Sequence, residues 1–148
     1  MQSDELSSQL AALDREPIEQ VIRDIHDLRA EAKFDALEQY LAPEAVFEFI
    51  GDRRQFRYAG RYCGRDQIIA LYRTINTEIE IIGSKLLDWM IDGNKAFSRR
   101  LVHARHRGTG LCEIHEIWDT WKFRDCLVEE SVKMLDISAF ERLQGVKE

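Results

Sequence analysis

From residue 79 onward the sequence leaves room for little besides a run of antiparallel hairpins. Residues 79–91 alternate toward Asp92-Gly93-Asn94, whose residue types favour a tight turn. Residues 95–106 read as the partner strand, and Arg107-Gly108-Thr109-Gly110 makes the next turn. Residues 111–124 form a long third strand, and Arg124-Asp125 turns into the last, 126–136. Ser138 to Leu143 reads as a short helical tail. Successive hairpins bury at least one face against another layer, so the first half of the chain has to supply that layer.

It supplies helices. Residues 1–13 carry only Leu6, Leu10 and Leu13 at helical spacing and read as a loose arm. Pro17 suits the first turn of a helix. After it, Ile18, Val21, Ile22, Ile25, Leu28 and Ala32 draw one apolar stripe, leaving His26 and Asp27 as expected surface residues. A second short helix carries Phe34, Leu37, Tyr40 and Leu41, with Pro43 as its stop. AVFEFIG (45–51) reads as a strand and FRYAGRYCG (56–64) as a second strand or extended loop. Gly64 then leads into a third helix, RDQIIALYRTI. Helices followed by hairpins define the α+β class, in a single domain over residues 1–148 without internal repeats.

Composition removes several function classes. A net charge of −6 argues against general nucleic-acid binding, which depends on neutralising phosphates. No apolar run approaches the ~20 residues of a membrane helix, and the acidic start is unlike a secretory signal. Cys63, Cys112 and Cys126 are odd in number and widely spaced, so buried free thiols in a reducing cytoplasm are expected. Nucleophile elbows, phosphate-cradling glycine loops and dinucleotide fingerprints are absent, so no cofactor is expected. Two basic stretches, 53–61 and 99–107, fit a solvated rim or subunit contact, or a site for a small anion.

The order of elements resembles the nuclear-transport-factor-2-like (NTF2-like) superfamily. Its members include ketosteroid isomerases, SnoaL-like polyketide cyclases, scytalone dehydratases and limonene-epoxide hydrolases. The resemblance rests on KFDALEQYLAPEAVFEF, GRDQIIALY, IWDTWKFRD and LVEESVKMLD, and covers about residues 17–137. It implies a cone-shaped α+β barrel, a strongly curved and mostly antiparallel sheet on three helices, with a hydrophobic pocket at its open end. It also implies a homodimer formed through the outer sheet face. Asp119 falls where ketosteroid isomerases keep a protonated acid that donates to an oxyanion. Their general-base aspartate falls near Glu48 or Phe49 and their helix-1 tyrosine at Ile25, so true ketosteroid isomerase chemistry is not expected.

The stretch EIHEIWDTW (113–121) carries the most chemistry. Alternation puts His115, Ile117, Asp119, Trp121 and Phe123 on one face, and Ile114, Glu116, Trp118 and Thr120 on the other. Both faces hold similar apolar content, and the resemblance selects the odd face as inward. Trp118 then lies on the expected dimer face. The same alignment, applied to the preceding strand, turns Phe97, Arg99, Leu101, His103 and Arg105 inward and Ser98, Arg100, Val102 and Ala104 outward. The expected catalytic group is therefore Asp119 with His103 and His115 as acid and base and Arg99 as anion holder. A buried Asp119–Arg99 pair and ordinary core histidines are the structural alternatives. Trp121, Phe97, Phe49 and Tyr58 are expected in the pocket wall, with Glu48 and Glu130 as further candidates. Glu113, His115 and His103 would be the only metal set, and none is expected, because the His103/His106 spacing suits a helix and not a strand. The expected activity is cofactor-free acid–base chemistry of isomerase, dehydratase, cyclase or hydrolase type on a hydrophobic, cyclic small molecule. The alternative is a non-catalytic ligand-binding or protein-interaction module.

Overall fold

The computed structural model describes residues 2–145. Helix α1 (Gln2–Ala30) is followed by a 3-10 helix (Phe34–Tyr40), β1 (Leu41–Phe49), β2 (Gly60–Cys63) and α2 (Arg65–Glu78). Then come β3 (Ile79–Asp92), β4 (Lys95–His106), β5 (Cys112–Arg124), β6 (Leu127–Leu135) and the closing helix α3 (Ile137–Leu143). The six strands form one curved, unclosed sheet in the order β2-β1-β6-β5-β4-β3. Every neighbouring pair is antiparallel except β1 with β6, which run parallel. The α+β class expected from the sequence is the observed one, and the sheet stays open between its edges, β2 and β3.

Three local expectations give way. Pro17 lies inside α1 and does not open it, and the described residues 2–13 of the expected arm belong to the same helix. Pro43 is not a helix stop. It is an exposed member of β1, within the stretch where the β1–β6 register shifts between Leu41 and Val46, a place where a missing N–H costs no ladder bond. Residues 56–63 fit the expected strand or extended loop, with loop and turn over 56–59 and the strand over Gly60–Cys63. Gly64, at φ 92, provides the left-handed backbone that turns β2 into α2. All three cysteines are free and exposed, not buried as expected. No helix among the described residues is long and apolar enough to cross a membrane.

The core lies between the concave sheet face and the helices. Ile18, Ile22 and Ile25 of α1 and Ile68, Leu71 and Tyr72 of α2 meet Phe47 and Phe49 of β1 and Trp121 and Phe123 of β5. Phe140 and Leu143 bring α3 over one end, where Phe140 sits edge-on to Phe56 at 4.8 Å.

Register decides which side chains face that core. On β5 the odd residues Ile117, Asp119, Trp121 and Phe123 are buried, as expected. On β4 the even residues are buried: Ala96, Ser98, Arg100, Val102 and Ala104. The expected inward face of β4 is thus the outer one. The cause is the turn. Residues 107–110 fill it, so His106 and Leu111 flank the loop and the ladder pairs Val102 with His115, Arg100 with Ile117 and Ser98 with Asp119. An even-numbered loop sets odd residues opposite even ones, and opposed residues share a face.

Candidate functional site

The site grows from one carboxylate. Asp119 sits in the middle of β5, fully shielded from solvent. Arg100 on β4 donates from Nε to Asp119 Oδ2 at 3.0 Å, and Lys133 on β6 donates from Nζ to Oδ1 at 2.9 Å. Both cations are themselves buried, at 3% and 1% exposure. His26, on the inward face of α1, brings Nε2 to 3.8 Å of Oδ2. Lys133 also lies 4.3 Å from the Trp121 ring centre, and Trp121 donates from Nε1 to Ser98 Oγ at 2.8 Å. Arg29, one helical turn beyond Ile25, lays its guanidinium over the Tyr72 ring at 3.9 Å.

Burial and mutual charge set the protonation states. Burial alone would raise the Asp119 carboxyl, but Lys133, Arg100 and His26 outweigh it and hold it well below the usual carboxylate range. At neutral pH Asp119 is a carboxylate, which removes the proton-donating role expected for it. Burial draws Lys133 down to about 8 against the pull of Asp119. Burial, followed by Arg100, keeps His26 well below its ordinary value. Tyr72 is pushed up to about 12 by burial, with Arg29 and Arg100 opposing. His115 is lowered by burial first and Arg100 second, with Asp136 and Glu113 pulling the other way.

Beside this cluster lies a cavity of about 60 Å³. Its wall is apolar, built from Phe49, Phe56, Ile75, Ile117, Leu135 and Phe140 among others, with Tyr58 at the edge. Arg29 and His115 are its ionisable members. The Tyr58 hydroxyl donates to Glu78 Oε1 at 3.1 Å. His115 Nδ1 is shut off from solvent without a hydrogen-bond partner. A neutral imidazole and a guanidinium in the wall of one apolar cavity can take a proton and steady the charge left behind.

The sequence-predicted residues divide between the two sheet faces. Asp119, His115, Trp121, Phe49 and Tyr58 belong to the interior, and all but Asp119 and Trp121 line the cavity. Arg99, His103 and Phe97 lie on the outer face because of the β4 register, where Arg99 Nη1 approaches Glu116 Oε1 at 3.7 Å and Phe97 sits edge-on to Trp118. The expected Asp119–Arg99 pairing is replaced by Asp119–Arg100. Glu48 and Glu130 also face outward, since their neighbours Phe47, Phe49 and Ser131 point in. Glu113, His115 and His103 cannot converge on a metal, and among the described residues no three such side chains do.

Four interior groups escaped the sequence reading: Arg100, Lys133, His26 and Arg29. Two had a signal. His26 and Arg29 stand four and seven residues after Ile22, on the stripe already drawn for α1. Arg100 follows once the four-residue turn fixes parity. Lys133 had none, because its strand sends Ser131 and Lys133 inward and Val132 and Met134 outward, against hydrophobic expectation.

Comparison with known proteins places this fold. The family model for a SnoaL-like domain matches residues 22–131. No curated protein matches the sequence. Among solved structures, an NTF2-like protein of unknown function from Burkholderia pseudomallei superposes with a TM-score of 0.74 at 16% identity, covering 86% of this chain and 96% of that one. An LEH-like epoxide hydrolase from M. tuberculosis superposes with a TM-score of 0.71 at 14% identity, over 88% of this chain and 91% of its own. A protein of ketosteroid isomerase-like fold from Catenulispora acidiphila reaches 0.74 at 11% identity, over 86% and 93%.

Two outcomes follow from the buried cluster. Asp119→Asn strips the shared counter-charge from two buried cations and lowers unfolding free energy by about 3–5 kcal/mol. Lys133→Met leaves Asp119 paired with Arg100 and costs less than half of that; urea denaturation compares the two. The second outcome concerns pH. In the unfolded chain His26 and His115 take up protons near pH ~6.5, protons the fold refuses because both imidazoles are lowered. The unfolded state then binds more protons, so stability falls as pH drops below that value. Asp119 contributes stability above ~3.9 and loses it below. Lys133 acts on the alkaline side: between about 8 and the unfolded ~10.4 it makes stability rise with pH. Denaturant midpoints taken from pH 4 to 9.5 therefore climb from the acid side and do not peak near the isoelectric point.

Proposed function

Because the chain belongs to the SnoaL-like domain family, we propose that it is a small-molecule enzyme doing cofactor-free acid–base chemistry on a hydrophobic, ring-bearing substrate in the cavity under α3. The observation that carries this reading is a base and a cation in the wall of one apolar cavity: His115 and Arg29 are set among phenylalanine and isoleucine side chains. Its reaction is of isomerase, dehydratase, cyclase or hydrolase type. His115, neutral at physiological pH, is the proton acceptor. Arg29 steadies the oxygen anion that forms, and Asp119 acts through Arg100 and Lys133 as a positioning charge. Phe49, Tyr58 and Phe140 hold the ring. The cavity is smaller than the roughly 150 Å³ that admits benzene, so Phe56 and Phe140 turn aside as a ring enters.

Ketone, epoxide and hydroxy-aromatic substrates screened in turn give turnover with one class. His115→Gln lowers that rate by about 10²–10⁴-fold, and the rate rises with pH up to neutrality as the imidazole loses its proton. Tight binding across all classes with no turnover would instead support a ligand-binding module.

The outer sheet face supports a homodimer in the same proposal. Met90 pairs with Phe97 and Trp118 with Met134, the Phe97 and Trp118 rings meet edge-on at 5.8 Å, and Met90 is 65% and Trp118 45% exposed. Patches of this kind mark interaction surfaces, and tryptophan and methionine are enriched there. Sedimentation of the wild type gives twice the chain mass, and Trp118→Lys gives the single mass. A monomeric wild type overturns the dimer.

A further inference from the structure

The buried charges do not balance. Arg100 and Lys133, both buried, and Arg29, half-buried with its Nε and Nη1 shielded, bring three positive charges toward one interior carboxylate, Asp119, while His26 and His115 are neutral. Asp119 is already divided: Arg100 Nε takes one oxygen and Lys133 Nζ the other. Arg29 is left with the Tyr72 ring against its face, a contact that uses none of its in-plane N–H groups. Its Nε and Nη1 are closed off from water without a hydrogen-bond partner, as are Arg100 Nη2 and the Tyr72 hydroxyl. Buried cations in folded proteins are paired, since each carries several kcal/mol of desolvation. A guanidinium held flat on an aromatic ring, with idle donors beside a cavity, is a fork without its anion.

We propose that the cavity takes an apolar acid, a small molecule whose carboxylate docks on Arg29 and whose carbon body fills the space between Phe49, Ile75, Ile117 and Phe140. This rests on the ligand-binding pocket of the preceding section and names the chemical class that enters it. Either edge of the guanidinium, Nε with Nη2 or Nη1 with Nη2, carries one of the idle donors and matches a planar carboxylate with two parallel hydrogen bonds. The Tyr72 hydroxyl is a further donor near the Arg29 end. The wall beyond is apolar and offers nothing to a second charge, so the ligand carries its anionic group at one end only. The acid supplies the negative charge the interior lacks, and the surplus of cations is the form the protein takes while awaiting it.

Matched pairs test this: acetate, isobutyrate and benzoate against acetamide, isobutyramide and benzamide, followed by His115 ring resonances and by the thermal midpoint. Each acid is expected to bind about ten- to hundred-fold more tightly than its amide. Arg29→Met is expected to erase that preference. Without ligand it should melt no lower than the wild type, because it deletes a cation whose Nε and Nη1 are shielded without a hydrogen-bond partner. Arg29→Lys keeps the charge but not the fork, and is expected to retain a preference reduced several-fold. Equal binding of acids and amides, or an acid preference that survives in Arg29→Met, overturns the anion site and leaves the apolar pocket standing. If neither acids nor amides of any size perturb His115, the pocket reading itself falls, and this inference with it.

Discussion

One carboxylate holds the interior together. Asp119 lies on the central β5, Arg100 on β4 and Lys133 on β6, so two hydrogen bonds tie three adjacent strands from the core side. Neither bond is made in water, and each partner carries a desolvation cost that only the others offset. The arrangement therefore fixes register as well as charge. A slip of one residue on any of the three strands would carry a charged side chain to the outer face and leave its partners stranded. The adjoining cavity inherits that rigidity on its sheet side, while its helical side, through Phe140 on the short α3, is the side that can give.

The same cluster explains why the pocket is chemically one-sided. Burial in the apolar wall lowers His115 most, and the field of Arg100 adds to it, leaving the imidazole in the neutral form that accepts a proton. Arg29 supplies a positive charge to the same cavity wall. The design separates duties: structural ions are paired with each other, and the cation on the cavity wall keeps its donors free.

Most of the fold was legible in the residues, because turn chemistry and helical periodicity are local. The three turn signals after residue 79 mark the observed hairpins, and the element order pointed to the superfamily whose SnoaL-like model the chain matches. The site was half legible, and the reason is parity. Odd residues of β5 turn inward as read, but the 107–110 loop has four residues, which sets the even residues of β4 beside them. Carrying the odd pattern across that turn selected Arg99 and His103 over Arg100 and Val102. Lys133 stayed hidden for a different reason: hydrophobic alternation assigns polar residues to the outside, and β6 does the reverse around a buried partner. Interior ion clusters are the places where binary patterning fails, because their stability is set by contacts between strands distant in sequence.

The parallel pairing of β1 with β6 has a consequence for how the molecule is assembled. The strand made last is inserted between the first hairpin, β1–β2, and the meander β3–β5. Until it docks, the nascent chain holds two separate half-sheets, each with an unpaired edge of the kind that invites association with other chains. That same strand delivers the ammonium partner of Asp119, so sealing the seam and neutralising the core happen in one event. Synthesis of the segment that carries β6, not the formation of the early helices, is the interval in which this sheet is most exposed to misassembly.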